Sequence, residues 1–135
     1  MIEYTNNNND INESMLQGFF VGWLNTPSPT THMEILKNSY CAWMAIDTSA
    51  NRIIGFINAI SDGVLSAYIP LLEVLPEYQS NGVGAQLVTR MLDSLNHLYM
   101  VDLLCDEPLQ GYYAKHGMRP ASGVMVRNYN NLKED

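Results

Sequence analysis

Residues 81–97 restrict the fold more than any other stretch of the chain. Val83, Leu87, Met91 and Leu95 recur every four residues, with Val88 and Leu92 widening the stripe. That spacing marks the buried face of one amphipathic helix. An apolar run precedes it at 64–75 and a second, interrupted by Asp102, follows at 98–105. Strand, helix and strand in this order predict a right-handed crossover that sets the two strands parallel.

Upstream, residues 41–46 and 52–61 have the short apolar pattern of strands, separated by a polar turn at 48–52. Asp62-Gly63 tolerates positive φ and predicts a two-residue hairpin into the 64–75 strand. The sheet thus begins as an antiparallel meander, and residues 2–5 supply a short first strand. Asn6 to Asn9 favours a loop. Met15, Leu16, Phe19, Phe20 and Trp23 recur at three- and four-residue spacing, which predicts a helix ended by Pro27 and Pro29. Thr31 with Glu34 reads as a capping box opening a second helix. Past the second parallel strand, Asp106 and Pro108 suit a helix start and Gly117 its left-handed stop. Residues 124–129 make a last strand, and 133–135 a frayed tail. The fold class is α+β, a mainly antiparallel sheet with one parallel step, in one domain over residues 1–135.

Composition narrows the function. The 135 residues suffice for one core, and 47% of them are apolar. The longest aliphatic stretch, 69–75, is broken by Pro70 and Glu73, so no segment is expected to span a bilayer. With no basic, apolar leader at the N-terminus, the expected address is cytoplasmic. The formal charge of −7 repels nucleic acid and anionic lipid and weakly favours cationic amines, although it also simply aids solubility. Cys41 and Cys105 are too few for a disulfide framework, and no Cys/His cluster has zinc spacing, so no metal is expected. His32 and His97 fall on polar helix faces, and His116 sits where a cation completes a helix end.

Chemistry concentrates at Gln79-Ser80-Asn81-Gly82-Val83-Gly84-Ala85, between strand and helix. A helix N-terminus offers unpaired N–H groups and partial positive charge to a phosphate. Gly82 and Gly84 remove side chains that would hold an anion away. No Lys-Ser or Lys-Thr follows, which excludes a nucleotide P-loop, and the dinucleotide fingerprint lacks its third glycine. Two glycines alone also suit a purely structural turn.

The run Val74-Leu75-Pro76-Glu77-Tyr78-Gln79-Ser80-Asn81-Gly82-Val83-Gly84 resembles the coenzyme A signature of the GNAT superfamily of N-acetyltransferases, Q/R-x-x-G-x-G/A after a strand ending in V-x-P. Tyr112-Tyr113-Ala114-Lys115-His116-Gly117 is similar to that family's second segment, an aromatic, then Tyr-x-x-x-Gly. The resemblance implies a three-layer α/β arrangement, with parallel central strands that splay apart between flanking helices. It implies acetyl-CoA as acyl donor, with no metal, and direct attack by a primary amine of a small molecule or peptide. Amides around Gln79, Asn81, Gly82, Val83, Gly84 and Ala85 would hold the pyrophosphate. Glu73, Val74 and Leu75 would pair with the pantetheine arm, residues 99–105 would form the other wall, and a splayed-strand N–H would polarise the carbonyl.

Tyr113 takes the place of the tyrosine that protonates the leaving sulfur. Glu73, the only carboxylate on the long strand, is the candidate base. Relatives carry that acid further upstream, where this chain has Pro70 and Leu71, and strand alternation can turn Glu73 away unless a bulge resets it. A water chain anchored by Tyr68 or Asp102 is the alternative. Arg90 and Lys115 are candidates for the 3′-phosphate but also suit solvated helix positions, and Cys105 reads as packing. Phe19, Phe20, Trp23 and Tyr40 suit either an acceptor pocket or the core. An acyl-CoA-binding sensor of the same fold is the alternative function, and pairing into a homodimer through edge strands or C-terminal hairpins is the partner the family suggests.

Overall fold

The computed structural model describes residues 1–132, and the expected tail at 133–135 lies outside them. Among the described residues five strands are present: β1 (Ile2–Thr5), β2 (Cys41–Asp47), β3 (Arg52–Ser61), β4 (Ser66–Val74) and β5 (Met100–Asp102). They form one sheet in sequence order, antiparallel from β1 to β4 and parallel between β4 and β5. The helices are α1 (Pro29–Lys37), α2 (Val83–Ser94) and α3 (Gln110–Ala114). Meander, crossover helix and parallel step are those the sequence predicts.

Neighbouring residues on β3 show how the layers divide, because side chains alternate across a strand. A Cβ on Gly55 would meet Leu87 and Val83 at 3.2 Å, so α2 lies close against that face. Phe56 points the other way, into Phe19, Phe20 and His32. The predicted stripe holds on α2: Val83, Leu87, Val88, Met91 and Leu95 are all buried.

Several expectations are corrected. No helix forms over Met15 to Trp23; after a single 3-10 turn at Glu13–Met15 the chain runs as a loop. Gly18, Phe20 and Gly22 have φ of 89°, 64° and 85°, which no right-handed helix accommodates. The periodicity there records burial alone, since Met15, Leu16, Phe19 and Phe20 all reach the core. The α1 cap is Ser28, whose hydroxyl accepts from the Thr31 N–H, with Pro29 in the first turn. Its start thus lies ahead of the predicted Thr31 box.

The hairpin after β3 is longer than two residues. Ser61 pairs with Ala67, and the Asp62 carboxylate accepts from the Val64, Leu65 and Ser66 N–H groups, closing a wider loop. Strand β5 covers only three residues of the predicted 98–105. The predicted strand at 124–129 is absent: residues 118–128 carry no regular structure, and Val124 is 99% exposed. His32 is buried in the aromatic cluster rather than on a polar face. The Arg90 guanidinium lies over the rings of Tyr4 and Trp43, neither free in solvent nor at a phosphate site.

Candidate active site

The cleft opens where β4 and β5 part. Their pairing runs through Ser66–Met100, Ala67–Val101 and Tyr68–Asp102, and ends there. The next residues, Ile69 and Pro70, oppose the single Ala59 on β3, which is a β-bulge. Pro70 has no N–H to donate to a neighbouring strand. Bulge and proline together account for the splay, and a cleft of about 610 Å³ occupies it. Its walls come from residues 69–74 on one side and 103–106, Leu109 and Tyr113 on the other, with Val21 and Trp23 at the mouth.

The glycine turn lies just past one end of this cleft, reached through Pro76 and Gln79. Two side chains pin it. The Tyr78 hydroxyl donates to Asp47 at 2.6 Å, and the Gln79 amide donates to the Val74 carbonyl at 2.9 Å. The Tyr78 hydrogen bond is also the main reason the Asp47 carboxyl sits below its usual range. Gly82 caps α2 in the left-handed conformation, φ 80°, with no side chain bonding the first-turn amides. A Cβ there would meet no atom within 4 Å beyond its chain neighbours, so the turn stands open at Gly82. A coenzyme pyrophosphate fits that cradle on both counts. The side chains of Val83 and Leu75 are buried, so each can offer only its main chain.

Strand parity sorts the rest. The Leu75 N–H donates to the Ile54 carbonyl, and the Leu75 carbonyl accepts from the Tyr78 N–H. Leu75 therefore has no free N–H for a pantetheine arm. Alternation turns the main chain of Leu72 and Val74 toward the splay instead. Leu72 lines the cleft, a role no local pattern marks because the position of the bulge fixes the parity.

Glu73 pairs with Phe56 across the sheet and lines the cleft. Its carboxylate accepts from the Phe20 N–H at 2.8 Å and the Val21 N–H at 3.2 Å. Tyr113 lines the opposite wall beside Cys105. Burial first, then Cys105 and Tyr112, push its phenol up to about 12, so it holds its proton at neutral pH. Tyr112 covers the turn, with its hydroxyl 3.0 Å from where a Gly84 Cβ would stand.

Of the predicted site residues, Glu73, Val74, Gln79 and Tyr113 share the cleft, while Asn81, Gly82, Val83, Gly84 and Ala85 form the adjoining turn. Tyr68 and Asp102 stand on the last β4–β5 rung and do not line the cleft. Lys115 is exposed. Among the aromatic candidates Phe19 and Phe20 belong to the core, Trp23 reaches the cleft, and Tyr40 lies against His97. Among the described residues no His, Cys, Asp and Glu group could hold a metal ion, and no helix is long and apolar enough to cross a membrane.

A splayed parallel pair beside a bare helix N-terminus is the arrangement expected of an acetyltransferase fold. The model of the Acetyltransferase (GNAT) family matches residues 8–118, and the chain belongs to that family. A Deinococcus radiodurans R1 protein, whose acetyltransferase activity is inferred, is 39% identical with a TM-score of 0.93, the match covering 97% of this chain and 91% of that one. A GNAT family acetyltransferase from Streptococcus pneumoniae TIGR4 is 26% identical with a TM-score of 0.72, covering 96% and 99%. Glucosamine-6-phosphate N-acetyltransferase from Arabidopsis thaliana, 14% identical with a TM-score of 0.72 and coverage of 96% and 99%, shares the fold. No curated protein matches the chain.

Proposed function

We propose that this acetyltransferase moves the acetyl group of acetyl-CoA to a primary amine held in the β4–β5 cleft. The observation that carries the reading is the cleft itself, which joins a protonated phenol to a bare helix N-terminus. Amides of Gly82, Val83, Gly84 and Ala85 hold the pyrophosphate, and the main chain of Leu72 and Val74 lies alongside the pantetheine arm. Bound acetyl-CoA supplies an activated thioester. Tyr113, with its proton retained, delivers that proton to the departing sulfur.

Glu73 receives the proton of the amine in this proposal. A carboxylate has about four lone-pair sites, and the bonds from Phe20 and Val21 use two. Those same bonds fix its position. The cytoplasmic address belongs to the proposal also, as does a homodimer, supported by the exposed apolar residues Val124, Met125, Val126 and Tyr129. Sedimentation at micromolar concentration should give twice the chain mass, and a single-chain mass would dismiss the pairing.

Thiol release from acetyl-CoA across a panel of amines tests the chemistry. Tyr113→Phe should lower kcat about a hundredfold and leave acetyl-CoA binding by calorimetry unchanged. Binding with no thiol release for any amine would instead mark a sensor, and an unchanged kcat would remove Tyr113 from the reaction.

A further inference from the structure

The loop over residues 16–24 brings Val21 and Trp23 to the cleft, and that loop is held in one shape. Phe20 is buried against His32 and Phe56, with ring centroids 4.9 Å and 6.1 Å away. Its own φ of 64° is unfavourable for an aromatic residue. The Glu73 carboxylate secures this conformation by taking the N–H groups of both Phe20 and Val21. The Trp23 N–H closes the turn on the Phe20 carbonyl at 3.1 Å. The result presents Trp23, its ring edge-on to Phe20 at 5.0 Å, and Val21 at the cleft mouth. They stay 46% and 60% exposed, although both are apolar.

Ile69, Leu71, Leu104 and Leu109 add further apolar side chains to the cleft, beside the polar Gln79 and Tyr113. The charged groups lining the cleft, among the described residues, are Glu73 and Asp106, both acidic; no Lys, Arg or His is there. A phosphate or carboxylate on the acceptor would lose its hydration with no counter-charge. An ammonium is matched by Glu73 and Asp106, and an apolar body by Trp23 and Val21. A wall already fixed in place adds little ordering cost on binding.

We infer that the acceptor is a primary amine with an uncharged apolar or aromatic body, which packs on Trp23 and Val21, and that phosphorylated acceptors are turned away. The inference rests on the proposed function for the identity of the cleft, but selectivity is readable without turnover. Calorimetry on the protein saturated with coenzyme A would compare phenethylamine, ethylamine and glucosamine 6-phosphate. Phenethylamine should bind about tenfold or more tightly than ethylamine, and glucosamine 6-phosphate no better than ethylamine. Trp23→Ala should erase the phenethylamine advantage. Val21→Asp, at an exposed position that leaves the core untouched, should weaken it as well.

Tighter binding of the phosphorylated amine overturns the inference. So does a phenethylamine advantage that survives both substitutions, or no phenethylamine binding at all. Phenethylamine that binds as described yet releases no thiol from acetyl-CoA supports the selectivity and counts against the catalytic reading alone.

Discussion

His32 ties the stability of this fold to pH through a cost that can be worked out. The imidazole is 1% exposed, enclosed by Phe19, Phe20 and Phe56 at centroid distances of 5.3, 4.9 and 4.3 Å. Burial lowers its pKa from 6.5 to about 4. Below pH 6.5 the unfolded chain takes up a proton that the folded chain refuses, so this contribution is complete above that pH and falls away as pH drops toward 4. Linkage puts the loss between neutral pH and about pH 5 at about 2 kcal/mol. With an ordinary urea slope the midpoint falls by about 1 M. Urea titrations of the wild type and His32→Phe at both pH values test this, since carboxylates titrate alike in each. The variant should lose the His32 share of the midpoint shift between the two pH values. An identical shift in the two proteins would refute the buried, neutral imidazole.

A second perturbation targets the turn. In Gly84→Val the added carbons meet the Tyr112 hydroxyl, only 3.0 Å from the Cβ position, and crowd the amide cradle. Acetyl-CoA affinity should fall roughly tenfold or more while the variant still unfolds cooperatively. Cys105, a half-buried free thiol in the cleft wall, reports the same event: acetyl-CoA should slow its alkylation in the wild type and not in Gly84→Val. Equal protection in both proteins would detach the glycine turn from the cofactor.

The legible parts of this protein were the local ones. The α2 stripe from Val83 to Leu95 could be read because a helix writes its buried face at fixed spacing. Gly82 and Gly84 could be read as a helix start because glycine accepts the left-handed cap that opens α2. The loop around Phe20 misled because burial alone can imitate helical spacing; Gly18 and Gly22 were the local signs against it. Residues 124–129 misled because strand-forming composition does not guarantee a neighbouring strand to pair with.

By itself the sequence determined the meander, the crossover, the glycine turn that opens α2 and the family they indicate, all consequences of short-range pattern. Tertiary structure alone decided the working faces of the cleft. The bulge opposite Ala59 sets which of residues 72–75 turn their main chain to the splay, and it depends on register against β3. Phe20 and Val21 lie 53 and 52 residues from the carboxylate that holds them. A hydrogen bond across that separation forms only once the sheet has brought its ends together, and no local spacing encodes it.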